Sequence, residues 1–286
     1  MSLATVIAIV GVVVLSSLAT TCALCIDRKR FRREFASLDE TLYEVFPYLA
    51  VIGTVLMFKG VVHEPSVQFS RALNWDITAE IYAIEGLFVA YVQDLTPEVL
   101  VPVFSGFYMF GFTYLLIAPI LVYFLTSTVR PLKELLVAYS LNYLVGITFY
   151  TLFVAYGPRL YLGSRVEGSM YALFPETQTL TQAVSANTNV FPSLHASLSI
   201  IVLLFAWQTR DRHSRWLAIA SVVATSVVLS TMILGIHWLT DVVAGVVLAV
   251  VCVLGADRIV SAIDGGEHRS AFDHETDGAT STRSDD

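Results

Sequence analysis

Long apolar runs separated by short polar stretches make up most of this chain. Seven runs, at about 3–24, 43–62, 104–126, 134–155, 193–209, 216–235 and 238–257, are near the length that a hydrocarbon core of about 30 Å demands of a helix. None alternates apolar and polar positions as a strand would. A backbone in lipid must also bond its own amides, so the pattern predicts helices. A further segment, 78–95, sets Ile81, Ile84, Phe88 and Tyr91 at helical spacing with Glu80, Glu85 and Asp94 between them. It suits a helix lying along the membrane interface over the mouth of the bundle. The expected fold is all-α, a polytopic membrane helix bundle of about seven transmembrane helices.

Composition agrees with that pattern. The 286 residues are 56% hydrophobic and 14% charged, with a mean hydropathy of +0.69, whereas a soluble domain carries roughly a quarter charged residues. An ordinary soluble enzyme is excluded. A formal net charge of −7 and a pI of 5.3 supply no net basic field for a phosphate backbone, so the surroundings are a lipid bilayer and nucleic acid is not a partner. Cys22, Cys25 and Cys252 lie in or beside apolar runs and read as packing residues, because Cys22-x2-Cys25 is half of a zinc-type spacing without its second half.

Basic residues give the chain an expected orientation. Arg28, Lys29, Arg30, Arg32 and Arg33 follow the first run, Arg130 and Lys133 separate the third and fourth, and Arg210, Arg212 and Arg215 separate the fifth and sixth. Such clusters are retained on the cytoplasmic side, which predicts a multi-pass protein of the cell membrane with its N-terminus outside and its C-terminus inside. The first run has no basic residues before it, so it reads as a retained anchor rather than a signal peptide. Residues 157–192 and the turn near His237 then face outward. Three parts follow: two N-terminal membrane helices with a basic cytoplasmic loop (1–63), a membrane core (64–257) and an acidic cytoplasmic tail (258–286). Asp, Glu, Ser, Thr and Gly crowd the tail from Asp264 onward, and it is expected to be disordered.

Ionisable groups at span ends are costly near lipid and mark candidate sites. One cluster is Phe191-Pro192-Ser193-Leu194-His195, where Pro and Ser introduce the fifth run; the free amides of such a first turn attract anions, with His195 beside them. The other is the stretch from Ser230 to Asp241, where one run ends and the next begins after almost no loop. His237 and Asp241 are four residues apart, on one helical face, so the carboxylate can hold one ring nitrogen and leave the other for chemistry. A histidine at a helix start and a polar pair at a span end also have a purely structural reading.

Pro192-Ser193-Leu194-His195, followed about 40 residues later by Ser230-x6-His237-x3-Asp241, resembles the second and third motifs of the type 2 phosphatidic acid phosphatase superfamily. Leu194, the lack of an arginine after Ser230 and the run from His237 to Gly245 look most like the branch of inositol phosphorylceramide synthases and their prokaryotic relatives. The resemblance covers about 80–257 and implies a six-helix phosphatase-type core. It implies that His237 attacks phosphorus to form a phosphohistidine, that Asp241 orients His237, and that His195 protonates the departing oxygen. Ser193, Leu194 and Ser230 are then expected around the substrate phosphate. No cofactor or metal is implied.

The first motif of that family, a lysine followed six residues later by Arg-Pro, has no counterpart here. Arg130-Pro131 falls on the expected cytoplasmic side and is rejected, and Thr231 stands where the third motif carries arginine. Arg159, at the outer end of the fourth run, is the preferred substitute, ahead of Arg165. Glu44 and Lys59, fifteen residues apart, cannot pair with each other and are expected to snorkel or contact neighbours. His63, His213, His268 and His274 read as solvated, and Glu85 and Tyr143 as packing residues. The expected activity is metal-independent hydrolysis of a membrane lipid phosphate or polyprenyl pyrophosphate, or transfer of a lipid headgroup to an alcohol. The other classes weighed are a metal site built from His195, His237 and Asp241, a transporter, and a lipid-binding scaffold.

Overall fold

The computed structural model describes residues 3–27, 29, 31, 32, 35, 38–168, 170, 171 and 188–281, with only the backbone for 3, 4, 6 and 266–281. Among these residues every regular element is helical. In chain order they are α1 (Leu3–Cys25), α2 (Leu38–Leu73), α3 (Thr78–Glu85), α4 (Phe88–Asp94), α5 (Glu98–Phe124), α6 (Val129–Leu152), α7 (Pro158–Tyr161), α8 (Leu194–Gln208), α9 (Ser214–Ile233) and α10 (Leu239–Ser281). Six of them, α1, α2, α5, α6, α9 and α10, are long and apolar enough to cross a membrane. The expected fifth span is the shorter helix α8, of 15 residues. It packs against α5, α6, α9 and α10, and a helix enclosed by other helices need not match the thickness of the lipid.

Small residues let these helices approach closely. Ala138 of α6, Ala206 of α8, Ala220 and Ala224 of α9, and Ala249 and Ala256 of α10 are fully buried, as is usual where lipid-embedded helices meet. Large apolar side chains such as Val12, Met57, Val61 and Val247 point outward instead. An apolar exterior is stable only in a bilayer, which agrees with a multi-pass membrane protein.

The two ends of the bundle differ in chemistry. At one end Arg130 bonds Glu134 at 2.8 Å and Asp257 at 3.1 Å, Lys133 meets Glu44 at 3.3 Å, and Arg215 donates to the Leu24 carbonyl at 2.8 Å. Arg130 and Lys133 of α6 and Arg215 of α9 therefore share one end with the C-terminus of α1. His213 is buried there, 3.3 Å from Thr128 Oγ1, rather than solvated as its surroundings in sequence predict. The opposite end gathers the C-termini of α6 and α9 with the N-termini of α8 and α10.

The interfacial segment is two helices rather than one, because Gly86 breaks it with a left-handed φ of +63°. These helices pin the second end together. Glu85 accepts the amides of Leu239 and Thr240 at 2.9 and 2.8 Å, and Gln93 Nε2 donates to the carbonyls of Ile233 and Glu167 at 2.9 and 3.0 Å. Glu85 is therefore more than a packing residue. At the other end of α10 the helix continues to Ser281, through the stretch whose composition predicts disorder. No proline interrupts it, and adding residues to an existing helix avoids the cost of nucleating a new one.

Candidate active site

The turn that carries His237 is fixed from three sides. Gly235 takes a left-handed φ of +65°, and a Cβ there would stand 2.5 Å from Val166 Cγ1. The amides of Ile236 and His237 both return to the Thr231 carbonyl, at 2.9 and 3.0 Å, so the end of α9 closes tightly on the turn. Across it, Arg159 N donates to the Gly235 carbonyl at 3.1 Å, and Gly157 approaches so closely that a Cβ would lie 2.4 Å from the Ile236 oxygen. The fully buried Trp238 adds a bond from Nε1 to the Tyr156 carbonyl at 2.8 Å.

Asp241 then serves two neighbours. Its Oδ2 accepts the Trp238 amide at 2.9 Å and lies 3.4 Å from His237 Nδ1, the longer of the two contacts. The first is a helix cap, since the carboxylate reaches back to the residue before α10. The second holds the imidazole by one nitrogen, which leaves Nε2 as the group available for chemistry. The cap and the contact with the imidazole are thus made by one side chain, itself fully buried, with Oδ1 lacking a hydrogen-bond partner among the described residues.

His195 arrives from α8. Ser193 caps that helix, its Oγ accepting the Ala196 amide at 3.3 Å, and the Ser193 amide donates to the Asp241 carbonyl at 3.1 Å. The N-termini of α8 and α10 are thereby tied together. Gly146 on α6 allows Leu194 to seat against it, where a Cβ would be 2.7 Å from Leu194 Cδ2. The His195 ring stacks on Tyr108 at 4.6 Å and 25°, meets Phe112 at 4.3 Å, and faces His237 with ring centroids 5.9 Å apart. Tyr108 lies within a π-helical stretch of α5, Phe107–Gly111, and Phe112 follows it directly; such an irregularity is often found at functional sites.

The two histidines share a cavity of about 170 Å³ with Arg159, Lys59, His63 and Leu194 on its wall. Among the described residues that line it there is no carboxylate; Asp241 stands behind His237, outside the lining. The Arg159 guanidinium lies 4.0 Å over the Tyr171 ring. Tyr150 lines the cavity too and donates its hydroxyl to the Pro192 carbonyl at 2.9 Å. A concave site lined by one lysine, one arginine and three imidazoles, with no carboxylate among its described lining residues, suits an anion.

The structure therefore brings together His195, His237, Asp241, Arg159 and Leu194. Ser193 and Ser230 are fully buried and do not line the cavity, and Ser230 Oγ donates to the Val227 carbonyl at 2.6 Å, within its own helix. Arg165 is absent from the wall, and Arg130 belongs to the other end of the bundle. Two helical residues join the site from outside the motifs. His63 lies within α2 and faces the cavity rather than standing in a solvated loop, and Lys59 faces the same cavity over the Tyr143 ring at 5.6 Å. The signal for Lys59 was its charge inside an apolar run; Tyr108 and Phe112 gave none, since aromatic residues are common in spans. Among the described residues no three of His, Cys, Asp or Glu converge as a metal site.

Comparison with known proteins places this geometry in context. The model of the PAP2 superfamily matches residues 84–255, more than half of the 286 residues. That span includes both histidines, Asp241 and Arg159, and it excludes α1 and α2. The match is to the superfamily and gives no support to the inositol phosphorylceramide synthase branch. No curated protein and no solved structure matches the chain.

Proposed function

Because the chain belongs to the PAP2 superfamily, we propose that it is an integral membrane phosphohydrolase acting on lipid phosphates or polyprenyl pyrophosphates through a phosphohistidine. One observation carries the reading: the imidazoles of His195 and His237, 5.9 Å apart, face one cavity with no carboxylate among its described lining residues, and the buried Asp241 carboxylate stands behind His237. His237 Nε2 attacks phosphorus as the bond to the leaving oxygen breaks, and His195 gives that oxygen its proton. Water then attacks the phosphohistidine, His195 takes a proton from it, the P–N bond breaks and phosphate leaves. Asp241 keeps the proton of His237 on Nδ1 and balances the positive charge that grows on the ring. Arg159 bonds the non-bridging oxygens, whose charge rises at the transition state.

The experiment is phosphate release from a panel of labelled lipid phosphates by the wild-type protein and His237→Ala. Release is expected from the wild type alone, together with an acid-labile, alkali-stable phosphoprotein; equal release by the variant rejects the mechanism. An alcohol acceptor added to the same panel separates hydrolysis from headgroup transfer, which shares the first half-reaction and which the run His237 to Gly245 also resembles. The cavity is assigned to the extracytoplasmic face because the basic stretches gather at the other end of the bundle. Cysteine labelling from one side of sealed vesicles tests that orientation.

A further inference from the structure

The helix α2 lies outside the matched family region, and its outer side carries exposed apolar residues such as Met57 and Val61. Its inner side is different. Lys59, Val62, His63 and Ser66 occupy positions i, i+3, i+4 and i+7, a single helical face, and all four line the cavity that holds His195 and His237. Polar groups in a membrane helix concentrate where they meet a cavity or a ligand, because lipid cannot solvate them. Here a lysine and a histidine meet a pocket wall that has no carboxylate among its described residues. The motif positions that would carry the family's other basic residues hold none in this chain: no Lys-x6-Arg-Pro string is present, and Thr231 follows Ser230.

We propose that Lys59 binds the substrate phosphate, so that α2 completes the anion site from outside the family core. The lysine supplies a point charge and rotatable donors from the α2–α6 wall, while Arg159 supplies a planar fork from the turn at α7. Two basic side chains from separate walls fit a phosphate that carries two negative charges, a terminal monoester or diphosphate rather than an internal diester. The assignment rests on the phosphohydrolase reading for the identity of the substrate, although the pocket's affinity for anions can be measured without turnover.

The test uses the full-length protein with Lys59→Met and Lys59→Arg, checked for wild-type elution and melting in detergent. Two measurements are made: KM and kcat on a lipid monophosphate, and binding of inorganic phosphate by titration calorimetry in a His237→Ala background. Lys59→Met is expected to raise KM and weaken phosphate binding by about 10- to 100-fold, the scale of one lost charge-assisted bond, with a smaller change in kcat. Lys59→Arg is expected to recover most of both. Unchanged KM and unchanged phosphate affinity in a folded Lys59→Met overturn the assignment. Should Lys59→Met not fold, Lys59→Gln takes its place under the same criteria. A wild-type protein that releases no phosphate from any lipid refutes the hydrolase reading alone, whereas loss of calorimetric phosphate binding in the lysine variant still supports the site.

Discussion

Replacing Asp241 by Asn removes one charge and leaves almost everything else in place. The amide oxygen can still accept the Trp238 amide, which Asp241 Oδ2 bonds at 2.9 Å, so the cap on α10 survives. The new NH2 falls on the side of Oδ1, which has no hydrogen-bond partner among the described residues. What is lost is the attraction between the carboxylate and the charge that develops on His237. At an effective dielectric of about 20, a full imidazolium charge at the observed 3.4 Å is worth about 5 kcal/mol. If half of that charge has formed at the transition state the loss is about 2.5 kcal/mol. Each 1.36 kcal/mol is tenfold, so kcat is expected to fall by about 10²-fold for the half-formed charge, and by up to about 5 × 10³-fold for a full one, with little change in KM. The assay is phosphate release from a lipid phosphate by detergent-purified protein, with melting followed in parallel to show that the fold persists. A variant that keeps more than about a tenth of wild-type turnover would falsify the idea that this carboxylate acts on His237; its capping bond would then be its whole role.

Other changes test separate parts of the site. His195→Asn removes the acid, so turnover of an alkyl phosphate should fall by about 10²- to 10⁴-fold, while a nitrophenyl phosphate, whose leaving group needs no proton, should lose less than about tenfold; equal losses on both substrates would remove His195 from the acid role. Glu85→Ala deprives the Leu239 and Thr240 amides and the Thr240 hydroxyl of their acceptor. The expected cost is about 1–2 kcal/mol of stability, read as a lower melting temperature in detergent, and an unchanged melt would mean that water replaces the carboxylate without penalty.

Hydropathy made the spans legible because lipid imposes one simple length and polarity rule on each of them. It was least informative at α2, where Pro47, Pro65, Glu44, Lys59, His63 and Glu64 interrupt an apolar run that nevertheless folds as one helix from Leu38 to Leu73. Both prolines sit inside that helix, where neighbouring helices and local adjustments can satisfy the carbonyls they leave. In the site, His195, His237 and Asp241 stood out because they are ionisable groups at span ends, and the structure brings them together. Tyr108, Phe112 and His63 did not, since they reach His195 and its cavity only through the packing of α5 and α2 against the core. Glu85 was hidden for a similar reason: it caps a helix that begins more than 150 residues later in the chain.

The way charge is divided between two helix ends decides which one can face a phosphate. The N-termini of α8 and α10 lie together, tied by the bond from Ser193 N to the Asp241 carbonyl, and each offers the positive end of a helix dipole. At α10 that potential is already used: Asp241 takes the Trp238 amide and Glu85 takes those of Leu239 and Thr240. Two carboxylates there would repel an incoming phosphate. At α8 the side-chain cap is the neutral Ser193, and the second residue of the helix is His195. A phosphate in contact with His237 would therefore be drawn toward α8 and the basic side chains of Arg159 and Lys59, away from α10. In the proposed mechanism that asymmetry would favour a leaving oxygen on the His195 side, with the Asp241 carboxylate behind the His237 ring and not beside the substrate.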